Sequence, residues 1–149
     1  MTHPVVIADT NALIRLLTPR ETGHAEHKSA FAQMAHLVVS PLVLAELDHI
    51  VTTRANPKTT LGFARFIKSQ ADLNRFTVAD IAPHLSTAIA VAEGYTDARG
   101  GKGIGLTDAM NVALAKAYRT DALFTTDKDF RIIQPLTGHA AFRLLPEDL

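Results

Sequence analysis

The stretch Val5-Val6-Ile7-Ala8-Asp9-Thr10-Asn11-Ala12-Leu13-Ile14-Arg15-Leu16-Leu17 decides the architecture. Its first four residues are apolar and mostly β-branched, which suits a buried strand. Three small polar residues follow, and Ala12 to Leu17 then has helical spacing until Pro19. This is a strand, a polar corner and a helix, and the unit recurs. Leu37-Val38-Val39 is a second apolar run, closed by Ser40 as N-cap and Pro41 at the first helical position. Asn56-Pro57 repeats that start signal, Phe76-Thr77-Val78 reads as a third strand, and Asp80 can cap a helix running to Gly94. Ala122-Leu123-Phe124 is a fourth strand and Phe142 to Leu145 a last one. One further helix spans about His24 to Met34, and another starts at Leu106 or Thr107 with Met110, Ala113, Leu114 and Ala117 on one face.

Apolar strands alternating with helices imply a layered α/β sandwich around a largely parallel sheet, because parallel neighbours need long, usually helical crossovers. The 149 residues, 47% hydrophobic and 20% charged, suit a single domain over 1–149 with a substantial core. No internal repeat, low-complexity tract or Ser/Gly linker divides them. The absence of cysteine excludes disulfides, thiolate metal sites and a cysteine nucleophile, and makes a reducing cytoplasm the natural setting. The opening Met1-Thr2-His3-Pro4 carries no basic run, and charges at Asp9 and Arg15 interrupt the next apolar stretch well short of a membrane span.

With 15 basic and 15 acidic residues the net charge is zero, which at first argues against a nucleic-acid partner. If four acids are gathered into one site, the remaining surface carries four more positive than negative charges, and that is compatible with phosphate contacts.

Four acids stand at positions where chemistry gathers in such folds. Asp9 and Asp127 each follow a predicted strand, at the carboxyl ends where α/β sheets place functional groups. Glu46, in Pro41-Leu42-Val43-Leu44-Ala45-Glu46-Leu47, shares a helical face with Val43, Leu47 and Ile50 and so falls on the core side. Such an acid needs a cation, a basic partner or a place at the rim of a cleft. Asp108 opens a late helix. Singly, each has an ordinary reading: Asp9 as an N-cap, Asp108 as a first-turn acid favoured by the macrodipole, Asp127 and Asp129 as an acidic turn. Thr10 and Asn11 are small hydrogen-bonding residues able to orient a carboxylate.

Taken together, Asp9-Thr10-Asn11, Glu46 in Val-Leu-Ala-Glu-Leu, Leu106-Thr107-Asp108-Ala109 and Thr125-Thr126-Asp127-Lys128-Asp129-Phe130 resemble the ordered acidic motifs of PIN domains. The likeness spans about residues 5 to 145, and the short chain is most similar to VapC-type toxins. The resemblance implies a three-layer α/β/α sandwich around a mainly parallel sheet of four or five strands. It also implies a magnesium- or manganese-dependent endoribonuclease, the toxin of a type II toxin–antitoxin pair, with RNA as substrate, a cognate antitoxin as partner and a homodimer as the assembly. By position, Asp9, Glu46, Asp108 and Asp127 carry over as the acidic site, Thr125 as the hydroxyl that supports it, Asn11 as a small polar position, and Asp129 as a supporting acid or occasional ligand.

Converging carboxylates without cysteine or histidine fit magnesium or manganese better than zinc. Asp9, Asp108 and Asp127 are expected to bind the principal ion, while Glu46 binds a second or orients the attacking water. Without metal the like charges repel and raise one another's pKa values, so magnesium is expected to stabilise the chain. Arg15, Arg99, Lys102 and Lys128 are sequence neighbours of the motifs and candidates for RNA contacts. The glycine-rich segment Tyr95 to Gly105 reads as a mobile loop, and Arg99 to Gly105 within it as a substrate clamp. Leu106 stands where the third glycine of a dinucleotide-binding loop belongs, which excludes that reading.

Rival readings are weaker. The seven histidines form no His-Glu-x-x-His pattern, and Asn11 replaces the second acid that an aspartyl-phosphate phosphatase of the haloacid-dehalogenase type requires. The remaining alternative is a catalytically silent PIN-like module that dimerises or holds a protein partner. Retention of the whole acidic set argues against it.

Overall fold

The computed structural model describes residues 5–149; residues 1–4, read above as lacking a basic run, lie outside the described residues. Five strands, β1 (Val6–Ala8), β2 (Leu37–Val39), β3 (Phe76–Val78), β4 (Ala122–Phe124) and β5 (Arg143–Leu145), form one sheet. Their order is β3-β2-β1-β4-β5 and every pairing is parallel. The helices are α1 (Thr10–Leu17), α2 (His24–Phe31), α3 (Pro41–Arg54), α4 (Pro57–Asp72), α5 (Leu85–Gly94), the short α6 (Ala98–Gly101) and α7 (Gly105–Ala117).

Strand alternation divides the molecule into two cores. Val6 and Ala8, Leu37 and Val39, and Ala122 and Phe124 face one side, where they pack on residues of α1 to α4 such as Leu13, Ala30, Leu47 and Ile67. Ile7, Val38, Leu123 and Leu144 face the other, against Ala88 and Val91 of α5 and Met110 and Leu114 of α7. Strands covered on both faces have to be apolar at every position, which is why they read as unbroken runs. This is the expected three-layer α/β/α sandwich, with the sheet at five strands.

The start signals operate as read. Ser40 Oγ accepts from Leu42 N at 3.1 Å with Pro41 at the first helical position, and Asn56 Oδ1 accepts from Thr59 N at 2.8 Å. Asp80 instead receives Ala82 N at 3.3 Å and opens a 3-10 turn ahead of α5. Helix α2 stops at Phe31, three residues early, because Gln33 N and Met34 N turn back onto Ala30 and Phe31 carbonyls and steer the chain into β2. The segment expected to be a mobile loop is folded. Gly103 N donates to Ala98 O at 2.9 Å, and Arg99 and Gly100 both adopt left-handed conformations. Among the described residues no helix is long and apolar enough to cross a membrane.

Candidate active site

Strand order places the site. The chain leaves β1 toward β2 on one side and later inserts β4 on the other, so the sequence order reverses between β1 and β4. Crossovers diverge there, and a crevice opens beyond the strands' carboxyl ends. Asp9 stands at that end of β1, its backbone N donating to Phe124 O of β4 at 2.9 Å. Asp127 lies three residues beyond β4.

Asp9 is buried at 5% exposure, and both its oxygens have donors. Oδ1 accepts from Thr10 N at 2.9 Å; Oδ2 accepts from Thr125 Oγ1 at 2.8 Å and Asn11 Nδ2 at 3.3 Å. Thr125 Oγ1 in turn accepts from Asp127 N at 3.0 Å, and Asn11 Oδ1 accepts from Thr126 N at 2.9 Å. Thr125 and Asn11 thus lock the corner after β1 to the corner after β4. Thr10 supports Asp9 through its backbone; its hydroxyl is buried with no partner among the described residues. Asp108 projects from the first turn of α7. One oxygen from each of Asp9, Asp108 and Asp127 lies within 4.8 Å of the others.

Burial raises the Asp9 carboxyl, opposed by its bonds to Thr125 and Thr10 and reinforced by Glu46 and Asp127. Asp108 is pushed up to about 7, first by burial and next by the Asp9 charge, against the lowering effect of Arg99. Burial is the first cause for both acids, and a cation bound between them would favour their charged forms.

Glu46 corrects its reading as a core-side acid. It is exposed, because the buried stripe of α3 is Val43, Leu47 and Val51, and Glu46 falls at its edge. It reaches the rim of the same cleft of about 380 Å³ that Asp9, Asp108 and Asp127 line.

The basic candidates separate. Arg15 lines the cleft with its Nη1 on the Thr22 carbonyl. Arg99, although exposed, turns its guanidinium onto the acids: Nη2 donates to Asp108 Oδ2 at 2.7 Å and Asp127 Oδ2 at 3.2 Å, and Nε to Asp129 Oδ2 at 2.5 Å. Asp129 therefore takes part through Arg99. Lys128 is bound to Glu147 at 2.7 Å and lines a different cavity, while Lys102 is exposed outside the cleft lining. Sequence reasoning missed Arg54, which lines the cleft two turns beyond Glu46 on α3; that spacing was the available signal. Asn111, one turn beyond Asp108 on α7, is buried with Oδ1 unpartnered among the described residues and lies outside the cleft lining.

The donor set suits a hard divalent cation. It is all oxygen, converges on one point and carries excess negative charge, and magnesium or manganese bind through one or two carboxylates with retained waters.

Comparison with known proteins gives the family. The PIN domain family model matches residues 6–134. Ribonuclease VapC26 of Mycobacterium tuberculosis (strain ATCC 25618 / H37Rv) is 35% identical over 144 residues, covering 95% of this chain and all of the relative. The chain belongs to the PIN-domain family, as a VapC-type member. Among solved structures, Mycobacterium tuberculosis VapC20, described as a sarcin-ricin loop cleaving toxin, superposes with a TM-score of 0.71 at 16% identity, over 89% of this chain and 97% of that one. VapBC2 of Rickettsia felis bound to a promoter DNA fragment gives 0.63 at 16% identity, over 94% and 98%. At that identity both bear on the fold.

Proposed function

We propose that this protein is a magnesium- or manganese-dependent endoribonuclease, the toxin of a type II toxin–antitoxin pair. The observation that carries the reading is the convergence of Asp9, Asp108 and Asp127 at the switch point of the sheet. A relative named as a ribonuclease, aligned over 95% of the chain, supports it.

Asp9, Asp108 and Asp127 hold the ion. When bound, it supplies charge neutralisation for the phosphoryl group and a means of activating water at neutral pH. Thr125 and Asn11 keep Asp9 aimed, and the buried corner keeps its charge undiluted by solvent. Glu46, at the rim and coupled electrostatically to Asp9, orients the attacking water and receives its proton. Arg15 and Arg54 line the cleft and supply positive charge for RNA phosphates there.

An apolar surface lined by Ile14, Leu17, Ile50, Val51 and Phe63 continues from the cleft, with Ile14, Glu21, Ile50 and Arg54 common to both. It lies between α1, α3 and α4, and it fits an amphipathic antitoxin helix entering from that side. A solved toxin–antitoxin complex from Klebsiella pneumoniae with a TM-score of 0.55 supports such a partner. A homodimer is the assembly proposed, and sedimentation of the purified chain at micromolar concentration tests it.

The enzyme reading is tested by incubating RNA with the wild type, with and without EDTA, and with Asp9→Asn. Cleavage that requires both the metal and the carboxylate is expected. Cleavage that survives either control rejects the mechanism, and partner binding with no cleavage at all supports the silent module.

A further inference from the structure

The acidic cleft contains a cation supplied by the chain itself. Arg99 enters from the connection between α5 and α7 with all three side-chain nitrogens engaged. Nε donates to Asp129 Oδ2 at 2.5 Å, Nη1 to the Ile104 carbonyl at 3.1 Å, and Nη2 to Oδ2 of both Asp108, at 2.7 Å, and Asp127, at 3.2 Å. The other oxygen of Asp127 already accepts from Asp129 N at 2.9 Å. Nη2 therefore sits on carboxylate oxygens of two of the three acids that would share an ion. Two cations on the same oxygens repel strongly where water is partly excluded, and the Asp108 side chain is only 13% exposed.

Backbone geometry shows that this grip is held against a local preference. Arg99 has φ 54° and ψ 41°, a left-handed conformation unfavourable for a residue with a Cβ. Such a residue persists where surrounding contacts over-determine it. Here those contacts are the three carboxylates and the Ile104 carbonyl. Gly100 follows with φ 67°, so the turn that carries Arg99 continues through a residue free of that penalty.

We infer that Arg99 is an exchangeable counter-ion: it neutralises the metal-free cluster, competes with the divalent ion for Asp108 and Asp127, and stays tethered through Asp129 when displaced. This rests on the metal-site reading above. Its consequence is that metal loading and the position of the 99–105 turn are coupled, so the loaded and metal-free proteins differ at the mouth of the cleft.

The test is calorimetric titration of manganese into the full chain after EDTA treatment. Arg99→Gln is expected to bind manganese about tenfold tighter than wild type, a coupling of ordinary size, and Lys102→Ala, which removes an exposed charge nearby, to bind as wild type does. In EDTA, Arg99→Gln melts below wild type, and saturating manganese closes the gap. A readout in the unmutated protein covers the case of a variant that does not fold: the Arg99 Nε–Hε NMR signal shifts on magnesium addition, with the half-saturation that calorimetry gives for magnesium. Unchanged or weaker manganese binding by Arg99→Gln, or an Arg99 signal insensitive to saturating magnesium, overturns the exchange and leaves the metal site standing. Absence of ion binding by wild type and variant alike removes the metal site, and the exchange with it.

Discussion

Asp108 carries the clearest electrostatic signature of the site, a carboxyl held up to about 7 by burial and by Asp9. In the unfolded chain it ionises at the ordinary carboxylate value, so between that value and about 7 the native state binds more protons. The stability it contributes is fully present below the ordinary value and is lost as pH rises through about 7. The melting temperature of the metal-free protein should therefore fall between roughly pH 5 and pH 8 more steeply than in Asp108→Asn, and equal slopes in calorimetry would contradict the assignment. Thr125→Val keeps the shape but removes the hydroxyl that donates to Asp9 at 2.8 Å. Manganese affinity is expected to drop about 10- to 100-fold, the usual cost of losing a group that orients a ligand. At this scale the sequence exposed the acids through their place after strands and at a helix start, and the structure brings Asp9, Asp108 and Asp127 together. It did not expose the role of Arg99, whose partners lie 5 to 30 residues away and are reached only through a left-handed turn.

Helix α3 shows how an element delivers a residue to the site. Ser40 caps it at the carboxyl end of β2, and Val43, Leu47 and Val51 press it on the sheet, which fixes Glu46 at the cleft rim and Arg54 at the far end. Ser40→Ala should cost about 1 kcal/mol in chemical denaturation, and Leu47→Ala, in a tightly packed position, roughly 2–5 kcal/mol. If loss of Leu47 left stability unchanged, α3 would not be the anchored element described. Caps such as Ser40-Pro41 and Asn56-Pro57 were legible because their hydrogen bonds span two or three residues. The end of α2 was not, because backbone-to-backbone bonds from Gln33 and Met34 close it with no side-chain cap to mark the position, and neither was the fold of the glycine-rich turn, which Arg99 ties to acids 9 to 30 residues away. The face of Glu46 was misread for a related reason: a residue one step from a buried stripe goes inward or to the rim according to what packs beside it.

In the whole molecule, the five parallel strands bring acids more than a hundred residues apart in sequence to one crevice, with apolar surface continuing from it toward α4. The alternation of strands and helices announced the layers. Strand order stayed hidden, because strands buried on both faces carry no sign of their neighbours. If Arg15 and Arg54 meet RNA phosphates, replacing each with Gln should make the salt dependence of RNA binding shallower by about 0.7 per lost contact on a log–log plot; an unchanged slope in filter binding would place the RNA elsewhere. All of this depends on one cation being shared at the switch point. Anomalous diffraction from crystals soaked in manganese locates it directly. A peak bound jointly by Asp9, Asp108 and Asp127 is the predicted result, and a peak held elsewhere, or none at saturating manganese, would contradict it.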